Sequence, residues 1–281
     1  MSALEYPVLL GGEALVEGPC HICGQHTKLS WEHVPPRSAG NIFPVRTILF
    51  EESLNLPLDA PLPKGKLQRR GMGAYTLCES CNSRTGHWYS THFARWCFQG
   101  WGILELASFR PSLVYLHHIL PLPVIKQVAV MFFSANPAGF QAANPELVEF
   151  VLNPERRFLP PKYRFWAYYN HRGVLRFSSI VATLALGHGV NSVFSEITFP
   201  PFGYVLTFGS PPPHPELCEI THFARYGINE YRPMQLRMPV LPTFLSLPGD
   251  YREMEQIRSD WLENHRAAER IKAEQAGQQI A

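Results

Sequence analysis

The sequence predicts an α+β protein whose sheet is antiparallel. Two observations support this class: short runs rich in aromatic and β-branched residues are separated by turn residues, and a few segments have helical periodicity. The chain has 281 residues, of which 46% are hydrophobic, so it can bury a sizeable core. Its net charge of +2 argues against nucleic-acid binding through bulk charge, but it allows a local basic patch.

The N-terminal part predicts the order strand, loop, strand, helix. Residues 29–34 are a strand candidate that ends at Pro35, because proline cannot donate to a sheet ladder. Residues 37–63 are rich in Pro, Asn and Gly and predict a long loop, and residues 74–77 predict a second strand. A helix is expected from about Glu79, since apolar residues recur near 3.6-residue spacing at Trp88, Tyr89, His92, Phe93, Trp96 and Cys97.

A change in composition near residues 110–123 predicts two domains, 1–110 and 111–281. In the second domain, residues 124–134 and 147–152 predict helices. Strand-like runs follow, and a charged periodic segment at 251–277 predicts a surface helix. The strand candidates are residues 163–169, 174–182, 194–199, 202–208, 219–226 and 234–240.

Neither a secretory leader nor a membrane span is expected. The first residues lack a basic region before their apolar stretch. The most apolar long segment, 113–135, is interrupted by His, Pro and Lys and predicts a loop followed by a buried helix. We therefore expect a cytoplasmic protein without membrane contact, whose cysteines stay reduced and serve as metal ligands.

Two Cys-x-x-Cys pairs predict a structural zinc site. Four thiolates in two such pairs match tetrahedral Zn²⁺ coordination. Gly24 follows the first pair and can supply a left-handed backbone there. Residues 24–77 separate the pairs, which is far more than in a simple zinc ribbon, so a folded insertion must lie between them. The ligands are Cys20, Cys23, Cys78 and Cys81, and they leave no open position for catalysis.

Residues around these pairs resemble a known nuclease family. The first pair is followed by Glu32-His33-Val34-Pro35, and the second by Asn82-Ser83-Arg84-Thr85-Gly86. This pattern, over residues 18–100, resembles the HNH endonucleases of the His-Me finger (ββα-metal) superfamily in their zinc-knuckle form. The resemblance implies an N-terminal ββα-metal unit with Zn(Cys)4 knuckles, followed by an antiparallel-sheet α+β domain.

The resemblance also implies roles for individual residues. His33 matches the general base that activates water for phosphodiester hydrolysis. Glu32 and Asn82 match the ligands of a catalytic divalent ion, and oxygen ligands of this kind suit Mg²⁺ or Mn²⁺. Because adjacent strand residues point to opposite faces, we expect irregular backbone that lets Glu32 and His33 converge.

Three features depart from the family pattern. Glu32 stands where the family usually has Asp. The middle Asn that braces the loop has no clear counterpart, although Asn41 and Asn55 are available far up the loop. His87 lies five residues after Asn82, where some family members place a ligand. If this stretch is a regular helix, His87 is rotated about 140° from Asn82 and faces away from the ion.

A basic segment and two flanking arginines predict contacts to DNA, with RNA as an alternative substrate. Residues 64–70 contain four basic residues and no acid, and two arginines flank the candidate site. Such side chains would neutralise backbone phosphates without reading sequence. A solvated loop is the alternative interpretation. The predicted contacts are Arg37, Lys64, Lys66, Arg69, Arg70 and Arg84.

Other interpretations stay open at this point. The chain can be a zinc-knuckle nucleic-acid-binding protein without cleavage activity, or a sensor or toxin that cuts only when its C-terminal domain is engaged. His33 can be an ordinary histidine, and Asn82 a helix cap. Residues 111–281 carry no chemical motif and are candidates for ligand sensing, homodimer formation or partner binding. The link to bacterial anti-phage defence is one of association with this domain layout.

Overall fold

The computed structural model describes residues 16–48, 52, 63–107, 112–184 and 191–278. They form a mixed α+β fold whose named strands pair antiparallel. In this part of the chain no helix is both long enough and apolar enough to cross a bilayer.

The N-terminal sheet supports the cysteine pairs. It has the order β1 (Glu17–Pro19), β2 (His26–His33) and β5 (Gly73–Cys78). Helix α1 (Glu79–Thr85) follows β5 without a loop, and a single π-helical turn (Gly86–Ser90) leads into α2 (Thr91–Leu106). The predicted order of strand, strand and helix is therefore present, with both strands slightly longer than the sequence predicts.

The predicted loop over residues 37–63 contains regular structure. A 3₁₀ turn occupies Arg37–Ala39, and β3 (Val45–Thr47) pairs with β4 (Lys66–Gln68) as a two-stranded ribbon. The guanidinium of Arg46 donates to the carbonyl of Lys64 at 2.9 Å and closes the ribbon. Residues 49–51 and 53–62 lie outside the described residues.

The C-terminal part packs helices against a larger sheet. Helix α3 (Pro121–Ala135) is buried along its whole length, and the short helices α4 (Phe140–Ala143) and α5 (Pro145–Leu152) follow it. The five-stranded sheet has the order β11 (Cys218–Glu219), β7 (Tyr163–Tyr169), β10 (Phe202–Phe208), β9 (Asn191–Phe199), β8 (Arg176–Leu184). The last element of the described residues is α6 (Met254–Gln278), which is the predicted surface helix.

Two of the predicted elements are wrong. The segment before α3 is a strand, β6 (Ser112–Ile119), which pairs along its length with β12 (Arg232–Pro239). The predicted strand over 219–226 pairs only at Cys218–Glu219, and Thr221–Arg225 is a 3₁₀ turn. There the hydroxyl of Thr221 accepts the backbone N–H of Phe165 at 2.9 Å, and Phe223 turns into the core.

One continuous hydrophobic core contains residues from both sides of position 110. Trp96 on α2 stacks on Phe202 of β10 at 4.6 Å between ring centroids, and its indole N–H donates to the Tyr204 hydroxyl at 2.8 Å. A side chain at Gly100 would meet the Phe202 ring at 2.4 Å, so glycine is required for this close approach. The division into domains 1–110 and 111–281 stays a prediction.

Candidate metal centre and adjoining polar site

Four cysteine sulfurs converge at one end of the N-terminal sheet. The Sγ atoms of Cys20, Cys23, Cys78 and Cys81 all lie within 4.8 Å of one another. The Cys23 and Cys78 sulfurs are 3.9 Å apart, and a tetrahedral site with Zn–S bonds of about 2.3 Å has sulfur–sulfur edges of about 3.8 Å. The cluster could therefore hold a metal ion such as zinc, as the cysteine spacing predicts.

Backbone hydrogen bonds shape both turns. In the first, the N–H of Gly24 donates to the carbonyl of Cys20 at 2.8 Å, and Gly24 has φ of 74°, a conformation that favours glycine. In the second, the sulfur of Cys78 caps α1 by accepting the N–H of Cys81 at 3.4 Å. In both turns a cysteine sulfur accepts backbone N–H groups, Cys20 from Ile22 and Cys23, and Cys78 from Cys81.

A β-bulge joins the two turns. The register of β2 against β5 shifts between Ser30 and Trp31, and Thr76 of β5 has no partner in the ladder. The carbonyl of Thr76 instead accepts the N–H of His21 at 2.8 Å, within the first turn.

The cysteine thiols of the cluster affect one another's pKa. The Cys81 thiol hydrogen-bonds to Cys20, which lowers the pKa of Cys20 to about 4 and raises that of Cys81.

Glu32 and His33 lie side by side where β2 ends, on opposite faces. Their own pairing is regular, Glu32 with Ala74 and His33 with Gly73. The irregular backbone that we expected flanks them instead, with the register shift before Trp31 and a cis peptide bond between Val34 and Pro35. Glu32 is buried, and burial alone raises the pKa of its carboxyl to about 8. Burial lowers the pKa of His33, a hydrogen bond to the Arg70 backbone opposes this, and the positive charges of Arg37 and Arg70 lower it further. The net direction favours the neutral imidazole.

Asn82 links α1 to β2 by hydrogen bonds to the residues immediately before Glu32 and His33. Its side-chain N–H₂ donates to the Ser30 hydroxyl at 3.0 Å and to the Trp31 carbonyl at 3.2 Å. Because a carbonyl can only accept, these bonds orient the amide nitrogen towards the strand and the oxygen away from it. Asn82 lies within α1, whose N-cap is Cys78, so it is not a helix cap.

Asn41, which the sequence analysis names only as an available residue far up the loop, is a positioning residue. It is fully buried, and its side-chain nitrogen donates to the carbonyls of Pro35 and Met72 at 2.8 and 2.7 Å. Its side-chain oxygen accepts the N–H of Met72 at 2.8 Å. Gly71, with φ of 88°, leaves room for it, since a Cβ there would lie 2.4 Å from that oxygen. Asn41 thereby braces the loop after His33. Asn55 lies outside the described residues.

The predicted phosphate-binding residues do not all lie at the surface next to His33. Arg37 and Arg70 are exposed, and their charges reach the His33 ring. Lys64 and Arg69 are also exposed, whereas the ammonium of Lys66 is buried without a hydrogen-bond partner among the described residues. The guanidinium of Arg84 lies over the Trp88 ring, 4.9 Å from its centroid.

His87 is exposed on the π-helical turn after α1. This turn continues the helical direction of α1 without the regular 3.6-residue spacing, because the hydrogen bonds of a π-helix span five residues.

No family model, curated protein or solved structure matches this chain. The cysteine cluster and the polar residues beside it are therefore the basis for assigning a function.

Proposed function

We propose that the chain is a metal-dependent endonuclease of the HNH type that hydrolyses DNA phosphodiester bonds. The observation that carries the proposal is the position of Asn82. It follows the cluster cysteine Cys81 directly and hydrogen-bonds to β2 at Ser30 and Trp31, immediately before Glu32 and His33. In this proposal β2, β5 and α1 form a ββα-metal unit, and a zinc ion on the four cysteines fixes its helix against its strands.

Glu32 and Asn82 are the proposed ligands of a catalytic Mg²⁺ or Mn²⁺ ion. A buried carboxylate is costly without a positive partner, and burial is the one cause of the raised pKa of Glu32. The side chains of Ser30 and Glu32 share a face of β2, and Asn82 approaches that face by bonding to Ser30. Because its nitrogen makes that bond, the Asn82 amide would have to rotate to present its oxygen to the ion. A divalent ion there would neutralise Glu32, polarise the scissile phosphate and stabilise the leaving 3′ oxygen.

His33 is the proposed general base. Its lowered pKa favours the neutral imidazole, the form that can accept a proton from water. Because β2 ends at His33, a phosphate bound at this end can be reached from both faces of the strand. Arg37 and Arg70, whose charges act on His33, are placed to neutralise that phosphate.

A plasmid-nicking assay tests the proposal. The parent chain, incubated with Mg²⁺ or Mn²⁺, should convert supercoiled DNA to the nicked form. His33→Ala should slow this by at least about a hundredfold, the usual contribution of a general base, and Asn82→Ala should raise the concentration of ion required. The matched control is His26→Ala, an exposed histidine at the other end of β2, which should cut like the parent.

The outcome also separates the competing functions. If the parent binds DNA but neither ion supports nicking, the chain is a binding protein without cleavage activity. Equal nicking by the parent and His33→Ala would exclude His33 as the base. Single-stranded RNA, tested in parallel, decides between the two nucleic acids.

A further inference from the structure

Two large apolar side chains are exposed on the loop that follows the candidate site. Ile42 is 53% exposed and Phe43 is 70% exposed. They are adjacent, and they lie between the 3₁₀ turn Arg37–Ala39 and strand β3. Exposed apolar groups of this size are costly in water when they are clustered, and they commonly mark a contact site.

Hydrogen bonds hold the backbone of this apolar tip in place. Asn41, the residue before it, is bonded to Pro35 and Met72, and the N–H of Ile42 donates to the carbonyl of Gly40 at 2.9 Å. The same Met72 carbonyl accepts the N–H of Val34 at 3.0 Å, the residue after His33. The apolar tip and His33 are therefore anchored to one backbone position, and neither can move far without the other.

The charge around the tip complements a polyanion. Residues 33–78, which include the tip and both strands of the β3–β4 ribbon, carry six Lys and Arg residues against three acids, Glu51, Glu52 and Asp59, so this stretch has a net positive charge. The exposed basic residues are Arg37, Arg46, Lys64, Arg69 and Arg70, whereas the ammonium of Lys66 is buried. A second copy of the chain would bring the same positive charge against itself, so like-charge repulsion disfavours it as the occupant.

We propose that Ile42 and Phe43 form a wedge that enters duplex DNA beside the scissile phosphate and unstacks one base step. This rests on the proposed endonuclease function and specifies its substrate. Apolar wedges that part a base step kink the duplex, and the deformation is cheapest at pyrimidine–purine steps and at mismatches. The preferred substrate is therefore a duplex with an easily unstacked step, cut close to that step.

Fluorescence of 2-aminopurine, which rises when the base unstacks, tests the wedge directly. The full chain carrying His33→Ala, which leaves the DNA intact, is added to duplexes with the probe placed at successive positions around a TA step. Binding should raise the fluorescence at one step. The double variant His33→Ala/Phe43→Ala should give no fluorescence rise and should bind the duplex at least tenfold more weakly. Phe158→Ala, which truncates a phenylalanine that is 60% exposed elsewhere on the protein, should change neither.

The possible results distinguish the wedge from the endonuclease. If the double variant His33→Ala/Phe43→Ala gives the same fluorescence rise as His33→Ala, the wedge is wrong and the nuclease assignment stands. The same conclusion follows if His33→Ala binds DNA without a fluorescence rise while the parent chain nicks DNA. If Phe43→Ala converts a dimer to a monomer in light scattering, the tip contacts a second copy, and the wedge is again wrong. If the parent neither binds nor cuts DNA, the proposed function itself fails.

Discussion

The side-chain amide of Asn82 donates to the backbone carbonyl of Trp31 at 3.2 Å, and the residue before Asn82 is Cys81 of the four-cysteine cluster. This single contact links the cluster to the strand that carries Glu32 and His33. Because Cys78 also caps α1, the start of the helix is fixed by sulfur on one side and by β2 on the other. Loss of the cluster should therefore disturb the polar site as well as the fold.

The first prediction concerns metal content. Cys78→Ser should reduce bound zinc from one ion per chain to almost none, and it should destabilise the chain strongly, because a structural zinc contributes on the order of 10 kcal/mol to folding in small modules. Cys218→Ser is the control, since Cys218 lies outside the cluster. Atomic emission and thermal unfolding measure the two effects. Equal zinc content in the two variants would show that the cluster is not the metal site.

The second prediction concerns the Asn41 brace. Asn41→Ala leaves the N–H and carbonyl of Met72 and the carbonyl of Pro35 without their side-chain partner, so the free energy of unfolding should fall by about 3 kcal/mol. Asn153→Ala, which truncates an exposed asparagine, should cost less than about 1 kcal/mol. Urea unfolding gives both values. If Asn41→Ala lowers the free energy of unfolding only slightly, the loop keeps its conformation without this side chain.

The sequence predicted local elements well and long-range partners poorly. The sequence predicts β2, β5 and α1 because the signals for these elements span only a few residues. The signals are proline, the Cys-x-x-Cys spacing and hydrophobic periodicity. Strand β6 is predicted as a loop because the strand it pairs with, β12, comes more than a hundred residues later. Asn41 has no signature, since it bonds to backbone atoms of Pro35 and Met72 rather than to a recognisable side chain.

The third prediction concerns a buried ion pair in the large sheet. Arg176 and Glu196 lie 3.1 Å apart with side-chain exposures of 2% and 0%. Glu196 also accepts the Tyr168 hydroxyl and the N–H of Gly249, while Arg176 donates to the carbonyl of Leu245. Glu196→Gln leaves the buried arginine without its counter-charge and should cost about 3–5 kcal/mol.

An exposed pair on the same protein provides the comparison. Arg172 and Glu253 are 2.7 Å apart, but both are about half exposed, so Glu253→Gln should cost less than about 1 kcal/mol. Urea unfolding measures the stability of the two single variants and of the double variant Arg176→Met/Glu196→Met. Partial recovery of stability is expected in the double variant, because it removes both buried charges but leaves the Tyr168 hydroxyl, the Gly249 N–H and the Leu245 carbonyl without these partners. Equal costs for the two single variants would contradict the role of burial.

The fourth prediction uses the buried lysine on α3. Lys126 donates its ammonium to the carbonyls of Phe150 and Asn153 near the end of α5, and burial lowers its pKa from 10.5 to about 7. The unfolded chain therefore binds more protons than the folded chain between about pH 7 and 10.5, and stability attributable to this group rises with pH across that window. At pH 7 and below, the buried charge is a destabilising element of the fold.

Comparing the parent with Lys126→Met isolates this group, because every other titrating side chain is common to both. Between pH 7 and pH 9 the parent should gain about 2 kcal/mol of unfolding free energy relative to the variant. Lys28→Met, at an exposed position on β2, should follow the parent's pH dependence. Urea unfolding at pH 7, 8 and 9 gives the curves. If the parent and Lys126→Met curves run parallel, Lys126 keeps its charge in the fold, and its two carbonyl contacts must offset the desolvation of the ammonium.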